Sequence, residues 1–289
     1  MRKLLPQLLV LTLLCTTLAG CWDLRPIENL AMFLILGFDL APNGTDLMIT
    51  AAYPTFGMGA SSPVRTVWSI AGDLSHGLRL LQTDEDKITV AGKVIVYVFG
   101  ESVWRSGRIT ELARQAYVRP DLSLTGFVVC AQGNASEILP LRPPDENVMA
   151  IALWERLGKL QREGLVPQLD LLQIARLGQM QKDLWMPLIK PVKERSDILY
   201  AGSVSFSRGQ PAVVLDVQET ADLTSLSGLA PFNHPESRQQ GATPVSGTFS
   251  TVKTKVKRNE EPDGGLAIDV TSIFGLRLSS PWTSPRGRL

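Results

Sequence analysis

The thiol of Cys21 is the side chain whose surroundings most clearly favour covalent chemistry. It directly follows Leu18-Ala19-Gly20, and small residues such as alanine and glycine are what a signal peptidase requires beside the bond it cuts. A cysteine sulfur is a nucleophile that could attack a lipid donor and take up a diacylglyceryl group. Because its neighbours are small, a peptidase could reach the peptide bond before Cys21.

Residues 1–20 have the organisation of an export signal. Arg2 and Lys3 give a short positive start, and the run from Leu4 to Leu18 is mainly apolar and carries no charge. That run is shorter than the roughly 20 apolar residues of a transmembrane helix. The stretch ending at Cys21 resembles the lipobox of bacterial lipoproteins, in which the chain is cut before the cysteine. An ordinary secretory signal with a chance cysteine is the alternative.

Lipidation of Cys21 would tether the mature chain to a membrane. Each buried methylene group contributes about 0.8 kcal/mol, so one acyl chain holds weakly and two or more hold stably. A diacylglyceryl group and an N-acyl chain on Cys21 are the covalent lipid we expect, with no other cofactor. The apolar run from Ala31 to Leu40 is interrupted by Gly37 and Asp39, and no later segment is suited to cross a bilayer. We therefore expect a chain that is anchored to the outer face of a membrane and does not span it.

Composition narrows the class of protein further. The 289 residues suggest two domains, and removal of residues 1–20 leaves 27 basic against 28 acidic residues. This balance is not a nucleic-acid-binding signature. Of three cysteines, Cys15 leaves with the signal and Cys21 carries lipid, so Cys130 has no partner for a disulfide or a cysteine metal site. We expect Cys130 to be buried, reduced and unreactive in a strand.

Catalytic and metal-ligating patterns are missing from the sequence. The two histidines, His76 and His234, are too few for a zinc site without distant carboxylates, and we expect one beside a helix start and one in a proline-rich loop. Nucleophile-elbow, phosphate-loop and dinucleotide patterns do not occur. The acidic run at residues 84–86 lacks the spaced ligands of a calcium loop and is expected to be a turn at a helix end. These observations argue against an enzyme.

Strands alternate with helices along the chain, which predicts an α/β fold with mixed sheets, divided into domains at 21–197 and 198–289. Asn43-Gly44 predicts a hairpin, Asn134 is the expected cap of a helix over residues 135–139, and the proline-containing stretch 185–192 suggests a connector. Strands are predicted at residues 31–39, 47–53, 66–70, 93–99, 122–131, 200–206 and 212–217, and helices at 74–81, 109–116, 147–163 and 169–180.

The C-terminal region has a different pattern. Within residues 247–259 one face carries serine, valine and threonine and the other carries Lys253, Lys255 and Lys257, and a second alternating run follows the turn at 262–265. This predicts an antiparallel hairpin with a basic outer face, which is either solvated or in contact with anionic lipid. The stretch from about residue 275 to Leu289 has no periodicity, and we expect it to be disordered.

The residues after Cys21 resemble the start of a known family. Cys21-Trp22-Asp23-Leu24-Arg25-Pro26-Ile27-Glu28 is similar to the G-C-W-D-x-R-x-I-E opening of the Ger(x)C family of spore germination lipoproteins. Weaker similarities are Leu36-Gly37-Phe38-Asp39, Glu101 after a strand, Val118-Arg119-Pro120-Asp121 and the run from Tyr200 to Phe206. Because family members continue further, the resemblance implies a C-terminally shortened member.

The resemblance implies a role without chemistry. Members of this family are the C subunits of nutrient germinant receptors, tethered to the outer face of the spore inner membrane, where they are thought to assemble with integral-membrane A and B subunits. It implies for Trp22, Asp23, Arg25 and Glu28 contact with the membrane or a partner subunit. Their alternative role is local, with Arg25 paired to an acidic neighbour and Trp22 at the lipid interface. A lipid-anchored solute-binding protein and a lipid-anchored enzyme are the alternative functions.

Overall fold

The structure, a computed structural model, describes residues 29–55, 63–83, 85–167, 169–180, 183–226, 234–240, 243–260 and 266–278. The predicted signal peptide and the residues from Cys21 to Glu28 lie outside these ranges.

One mixed sheet of eight strands organises the chain up to residue 226. The strands are β2 (Ile35–Leu40), β3 (Leu47–Pro54), β4 (Val64–Ala71), β6 (Val96–Phe99), β7 (Phe127–Ala131), β8 (Leu184–Val192), β9 (Asp197–Ser207) and β10 (Gln210–Leu215). Their order across the sheet is β10-β9-β8-β7-β6-β2-β3-β4. Neighbouring strands among β2, β6, β7 and β8 run parallel, while antiparallel strands extend the sheet on both sides. This arrangement confirms the predicted α/β class.

The predicted strand over residues 31–39 is divided in two. Residues Leu30–Met32 form a short strand, β1, which pairs in parallel with β5 (Ile88–Val90), and β2 begins after Phe33 and Leu34. The hairpin predicted at Asn43-Gly44 joins β2 to β3. Its turn is held by the Asn43 side-chain oxygen, which accepts the backbone N–H groups of the two residues after Gly44 at 3.1 and 3.0 Å.

Helices cover both faces of the sheet. Successive side chains of a strand point to opposite faces, so an apolar strand gives both faces an apolar surface that helices bury. In β6, for example, Tyr97 and Phe99 belong to one buried cluster, and Val96 and Val98 belong to the other. The first cluster includes residues of helices α1 (Leu74–Thr83), α2 (Glu101–Arg105), α3 (Ile109–Tyr117) and α6 (Leu171–Gln179). The second includes residues of α4 (Ala135–Ile138) and α5 (Met149–Arg162). A further helix, α7 (Val217–Leu226), follows β10. Among the described residues, none of the helices combines the length and apolar character that crossing a bilayer requires.

The stretch expected to be a connector is the strand β8. Its pairing with β7 is confined to Leu188 and Ile189, which lie between Pro187 and Pro191. Each proline lacks a backbone donor, and both stand where β8 is paired on one side, with β9, and not within the parallel ladder. The prolines locally favour a turn, but pairing with the neighbouring strands holds this stretch in an extended conformation.

The boundary predicted between residues 197 and 198 falls inside the eight-stranded sheet. Strand β9 pairs with β8 over Asp197 to Phe206, so the residues on either side of that boundary share one sheet. A separate three-stranded sheet contains β11 (His234–Gln240), β12 (Thr243–Glu260) and β13 (Leu266–Leu278).

The antiparallel pairing of β12 with β13 confirms the backbone of the predicted hairpin. His234, expected in a loop, is the first residue of β11. Strand β13 continues through Gly275 to Leu278, beyond the expected start of the disordered tail. Residues 279–289, the rest of that tail, lie outside the described residues.

Cys130 and Trp154 test the burial that the apolar patterns predict. Cys130 is fully buried in β7, as expected, and burial raises the pKa of its thiol well above the usual value. The apolar spacing in the sequence predicts that Trp154 shares one buried face of α5 with Leu153 and Leu157. Leu153 and Leu157 are buried, but Trp154 is 49% exposed.

Gly202 should tolerate no side chain. It has φ +116°, a region that favours glycine, and a Cβ atom there would overlap the carbonyl oxygen of Leu215 on β10. We expect Gly202→Ala to lower the free energy of unfolding by about 2 kcal/mol or more, since the backbone must shift. Urea unfolding of the purified protein would measure this loss.

Gly72→Ala is the matched control, because open space surrounds Gly72. If both substitutions had the same small effect, the geometry at Gly202 would not be a constraint.

Candidate functional site

Five residues were assigned a functional role from the sequence: Cys21, Trp22, Asp23, Arg25 and Glu28. The described chain begins at Asn29, so their surroundings lie outside the described residues and their roles stay predictions. They enter the fold through β1, whose first residue, Leu30, pairs with Ile88 of β5. The β1–β5 pair is therefore the first described element that follows these residues in the chain, and it precedes the eight-stranded sheet.

Polar side chains in the described part of the chain gather where three parallel strands end. Asp39 lies near the end of β2, Glu101 and Ser102 follow β6, and Asn134 follows β7. We call these four residues, with Gly100 and Gly133, the strand-end cluster. In open α/β sheets, the crevice outside the carboxyl ends of the strands is where ligands commonly bind. The cluster is therefore the first place to look for a site.

Asp39 is the centre of the strand-end cluster. Its side chain is 1% exposed, and its two carboxylate oxygens accept the backbone N–H groups of Ala135 and Ser136 at 2.8 and 2.9 Å. These are donors that the first turn of a helix leaves unpaired. The N-terminus of the short helix α4 is thus capped by a residue of strand β2.

The expected cap, Asn134, has a different contact. Its amide nitrogen donates to Glu137 at 3.1 Å, and its side chain makes no capping hydrogen bond. The prediction located the helix start correctly and assigned the wrong acceptor. The residue that the cap requires, Asp39, is distant in sequence and close only in the folded sheet.

Opposing effects act on the Asp39 carboxyl. Burial raises its pKa, whereas the N–H groups of Ser136 and Ala135 lower it, and burial prevails. Gly100 closes the other side, because a Cβ atom there would overlap a carboxylate oxygen of Asp39. A carboxylate enclosed by backbone has no room to receive a substrate, so Asp39 acts on the fold.

Glu101 and Ser102 bind the remaining strand ends together. The Glu101 carboxylate accepts the N–H of Gly133 at 2.9 Å and pairs with Arg105 at 2.7 Å. The Glu101 N–H in turn donates to the carbonyl of Gly133 at 2.8 Å. The Ser102 hydroxyl accepts the N–H of Leu40 at 2.9 Å. The ends of β2, β6 and β7 are therefore joined by side chains as well as by the sheet ladder.

A buried ionic group that sequence reasoning missed lies near β5. Glu85, expected in a turn at a helix end, is 8% exposed. It accepts the hydroxyl of Tyr53 at 2.7 Å and pairs with Arg65 at 3.4 Å. Burial, and then the Glu85 carboxylate, raise the pKa of Tyr53. Asp86 is exposed, and Asp84 lies outside the described residues. The alternation of β3, which places Tyr53 in the core, was the available signal that a partner was needed.

The chemistry available in these clusters is limited. Within the described ranges, histidine, cysteine, aspartate and glutamate residues form no group that could hold a metal ion. The carboxylates of Asp39, Glu85 and Glu101 are occupied by donors of the protein itself. The arrangement can fix strand ends and a helix start, which is the role of a structural support.

Removing the Asp39 carboxylate should destabilise the protein strongly. In Asp39→Ala the buried N–H groups of Ala135 and Ser136 lose their acceptors, which we expect to cost about 2–4 kcal/mol in the free energy of unfolding. Asp39→Asn keeps one acceptor oxygen and should lose less. Urea denaturation followed by tryptophan fluorescence gives the values.

Asp145→Ala, at an exposed position, is the control for Asp39→Ala. Equal stabilities for these two alanine variants would show that the capping bonds carry no net free energy.

Glu101 should make stability depend on pH in the acidic range. The hydrogen bond from Arg105, and then that from the Gly133 N–H, hold the pKa of Glu101 below its usual range. A lowered folded-state pKa gives stability that is present above the unfolded pKa and lost as pH falls through the folded one. Relative to Glu101→Gln, the wild type should therefore lose stability from about pH 5 to about pH 3.

The size of this effect should be at most about 1 kcal/mol, because the Glu101–Arg105 pair is partly exposed. Arg105→Met should remove most of it, which a double-mutant cycle with Glu101→Gln would measure. If the difference in unfolding free energy between wild type and Glu101→Gln did not change with pH, the lowered pKa of Glu101 would be contradicted.

Comparison with known proteins places the chain in a family. The family model described as the spore germination protein N-terminal domain matches residues 23–191. Spore germination protein B3 of Bacillus subtilis (strain 168) is 21% identical over 290 aligned positions, which cover 92% of this chain and 73% of that protein. A solved structure, the crystal structure of the GerBC protein, is 14% identical, covers 86% of this chain and 73% of its own, and has a TM-score of 0.47. Because the family model covers more than half of the chain, the chain belongs to the spore germination proteins with this N-terminal domain, the Ger(x)C family that its opening residues resemble.

Proposed function

We propose that the chain is a non-enzymatic lipoprotein subunit of a spore nutrient germinant receptor. In this proposal it assembles with integral-membrane A and B subunits at the outer face of the spore inner membrane and supports germination. The match of the family model to residues 23–191 carries the proposal. The name of the Bacillus subtilis relative, a spore germination protein, supports the same process.

The geometry of the described residues is compatible with a supporting subunit. The enclosed carboxylate of Asp39 and the paired carboxylates of Glu85 and Glu101 hold elements in place, and their oxygens accept hydrogen bonds from the protein itself. In this proposal the chain contacts other proteins through its surface and the membrane through its lipid anchor.

The anchor in this proposal is lipid on Cys21, and Trp22, Asp23, Arg25 and Glu28 are the residues closest to it in sequence. Acyl chains on the thiol would hold the chain at the membrane. The four motif residues would then lie at the level of the lipid headgroups or against a partner subunit, where an indole ring is favoured.

Cys21→Ala tests the anchor and the assembly together. Tagged wild-type and Cys21→Ala chains would be expressed in sporulating cells of the source bacterium, and membranes from spores would be solubilised in detergent. We expect the wild type to enter the membrane fraction, incorporate radiolabelled palmitate and copurify with A and B subunits. The variant should lose the palmitate and leave the membrane fraction, or keep its signal uncleaved.

Cys130→Ala is the matched control, because Cys130 is a buried thiol with no proposed lipid. Palmitate in the Cys21→Ala chain would contradict the lipid assignment. A wild-type chain that copurifies with neither membrane subunit would contradict the receptor assignment, even if its anchor is confirmed.

A further inference from the structure

A cavity of about 230 Å³ lies between helix α5 and strands β8 and β9. Its wall is mainly apolar, formed by Leu153, Leu157, Leu160, Ile189, Ile198 and Tyr200. Most of these aliphatic residues belong to the buried cluster on this face of the sheet, and Leu153, Leu157 and Ile189 are almost fully buried. The cavity is therefore an extension of the core toward the surface.

The cavity exists because the helices on this face leave a gap. Leu153 and Leu157 of α5 share the buried cluster with residues of β6 and β7. Helix α7 contacts the sheet at Trp185, whose indole N–H donates to Thr224 at 3.3 Å. Neither helix fills the space above Ile189 and Ile198. Because the opening exposes apolar side chains to water, covering them with another apolar group would be favourable.

The polar groups of the cavity wall already have partners. The Arg156 guanidinium binds Asp197 at 2.6 and 3.2 Å and also donates to the carbonyl of Ile198 at 3.2 Å. The Tyr200 hydroxyl donates to the carbonyl of Leu165 at 3.1 Å. A molecule that enters the cavity therefore meets hydrocarbon and no unpaired charge.

The mouth of the cavity is marked by a loose ion pair. Lys159 and Glu163 line it, their charged atoms are 3.9 Å apart, and their side chains are 70% and 44% exposed. Such an exposed pair contributes little to stability, so a polar group could separate the two charges at small cost. With Arg156 and Asp197, the charges around the cavity cancel, which favours a molecule without net charge.

Size determines the apolar part of the occupant. An apolar cavity of about 150 Å³ lined by Leu, Ile and Phe stays dry and binds benzene. A cavity of about 230 Å³ has room for one ring with a short substituent, or for a branched aliphatic group of similar volume. Apolar atoms of the cavity wall gain dispersion contacts when a molecule covers them.

We infer that this cavity is a binding site for a small molecule without net charge, whose ring or branched aliphatic group lies against Leu160, Ile198 and Tyr200 and whose polar end lies at Lys159 and Glu163. The inference stands apart from the receptor role, because it concerns binding by this chain alone.

The test uses the full chain in lipid nanodiscs and p-cresol (4-methylphenol) as the probe, since its ring and methyl group match the cavity and its hydroxyl can reach the mouth. Two variants fill the space from opposite sides: Leu160→Trp from the helix and Ile198→Phe from the sheet. Glu155→Gln, an exposed change on the same helix, is the matched control. Titration calorimetry gives the affinity, and the thermal midpoint reports the folding of each variant.

We expect the wild type and Glu155→Gln to bind p-cresol equally, and each folded filling variant to bind at least tenfold more weakly. Methyl resonances of Leu160 and Ile198 should shift on titration of the wild type, which tests the location even if a filling variant fails to fold. The inference is overturned by absence of binding to the wild type, by unchanged binding in a folded filling variant, or by shifts confined to residues away from the cavity.

Discussion

The carboxylate of Asp39 is the interaction on which the centre of the fold depends. Burying a charged group is costly unless hydrogen bonds compensate, and here the compensation comes from two backbone N–H groups at the start of α4. Those donors are available only when β2 and the turn after β7 stand in their native positions. The carboxylate therefore makes strand order and helix start mutually dependent. Gly100 is part of the same constraint, because any side chain there would displace the carboxylate.

The eight-stranded sheet extends this constraint to the chain up to residue 226. Its parallel centre is covered by helices on both faces, as parallel strands require, and antiparallel hairpins complete each side. The family model ends at residue 191, near the end of β8, whereas the sheet continues through β9 and β10. The structural unit is thus longer than the segment that the family model matches, and β8 depends on β9 for most of its backbone pairing.

Local signals predicted local structure well. The Asn43-Gly44 turn, the apolar stripes of α1 and α3 and the buried thiol of Cys130 follow from residue type and spacing alone. What the sequence could not show depends on partners distant along the chain. Pro187 and Pro191 indicate a break until β9 is present to pair with them, and Asn134 is the better local cap until Asp39 occupies that position. The acidic neighbours of Glu85 in sequence indicate a turn at a helix end, whereas its hydrogen bond with Tyr53 holds it in the core. For the functional site, the opening motif indicated the family, and its geometry lies outside the described residues.

The short pairing of β1 with β5 has a mechanical consequence under the proposed anchoring. Any movement of the chain relative to the bilayer would pull on residue 29 and so load β1 first. A pull along the axis of β1 would strain the bonds of Leu30 to Met32 together, because the ladder bonds to β5 lie across that axis. The Phe33 N–H, bonded to the carbonyl of Val90, and the Leu34 N–H, bonded to the carbonyl of Ala52, would share that load and pass it into the main sheet. The β1–β5 pair would then resist shear between the membrane anchor and the eight-stranded sheet.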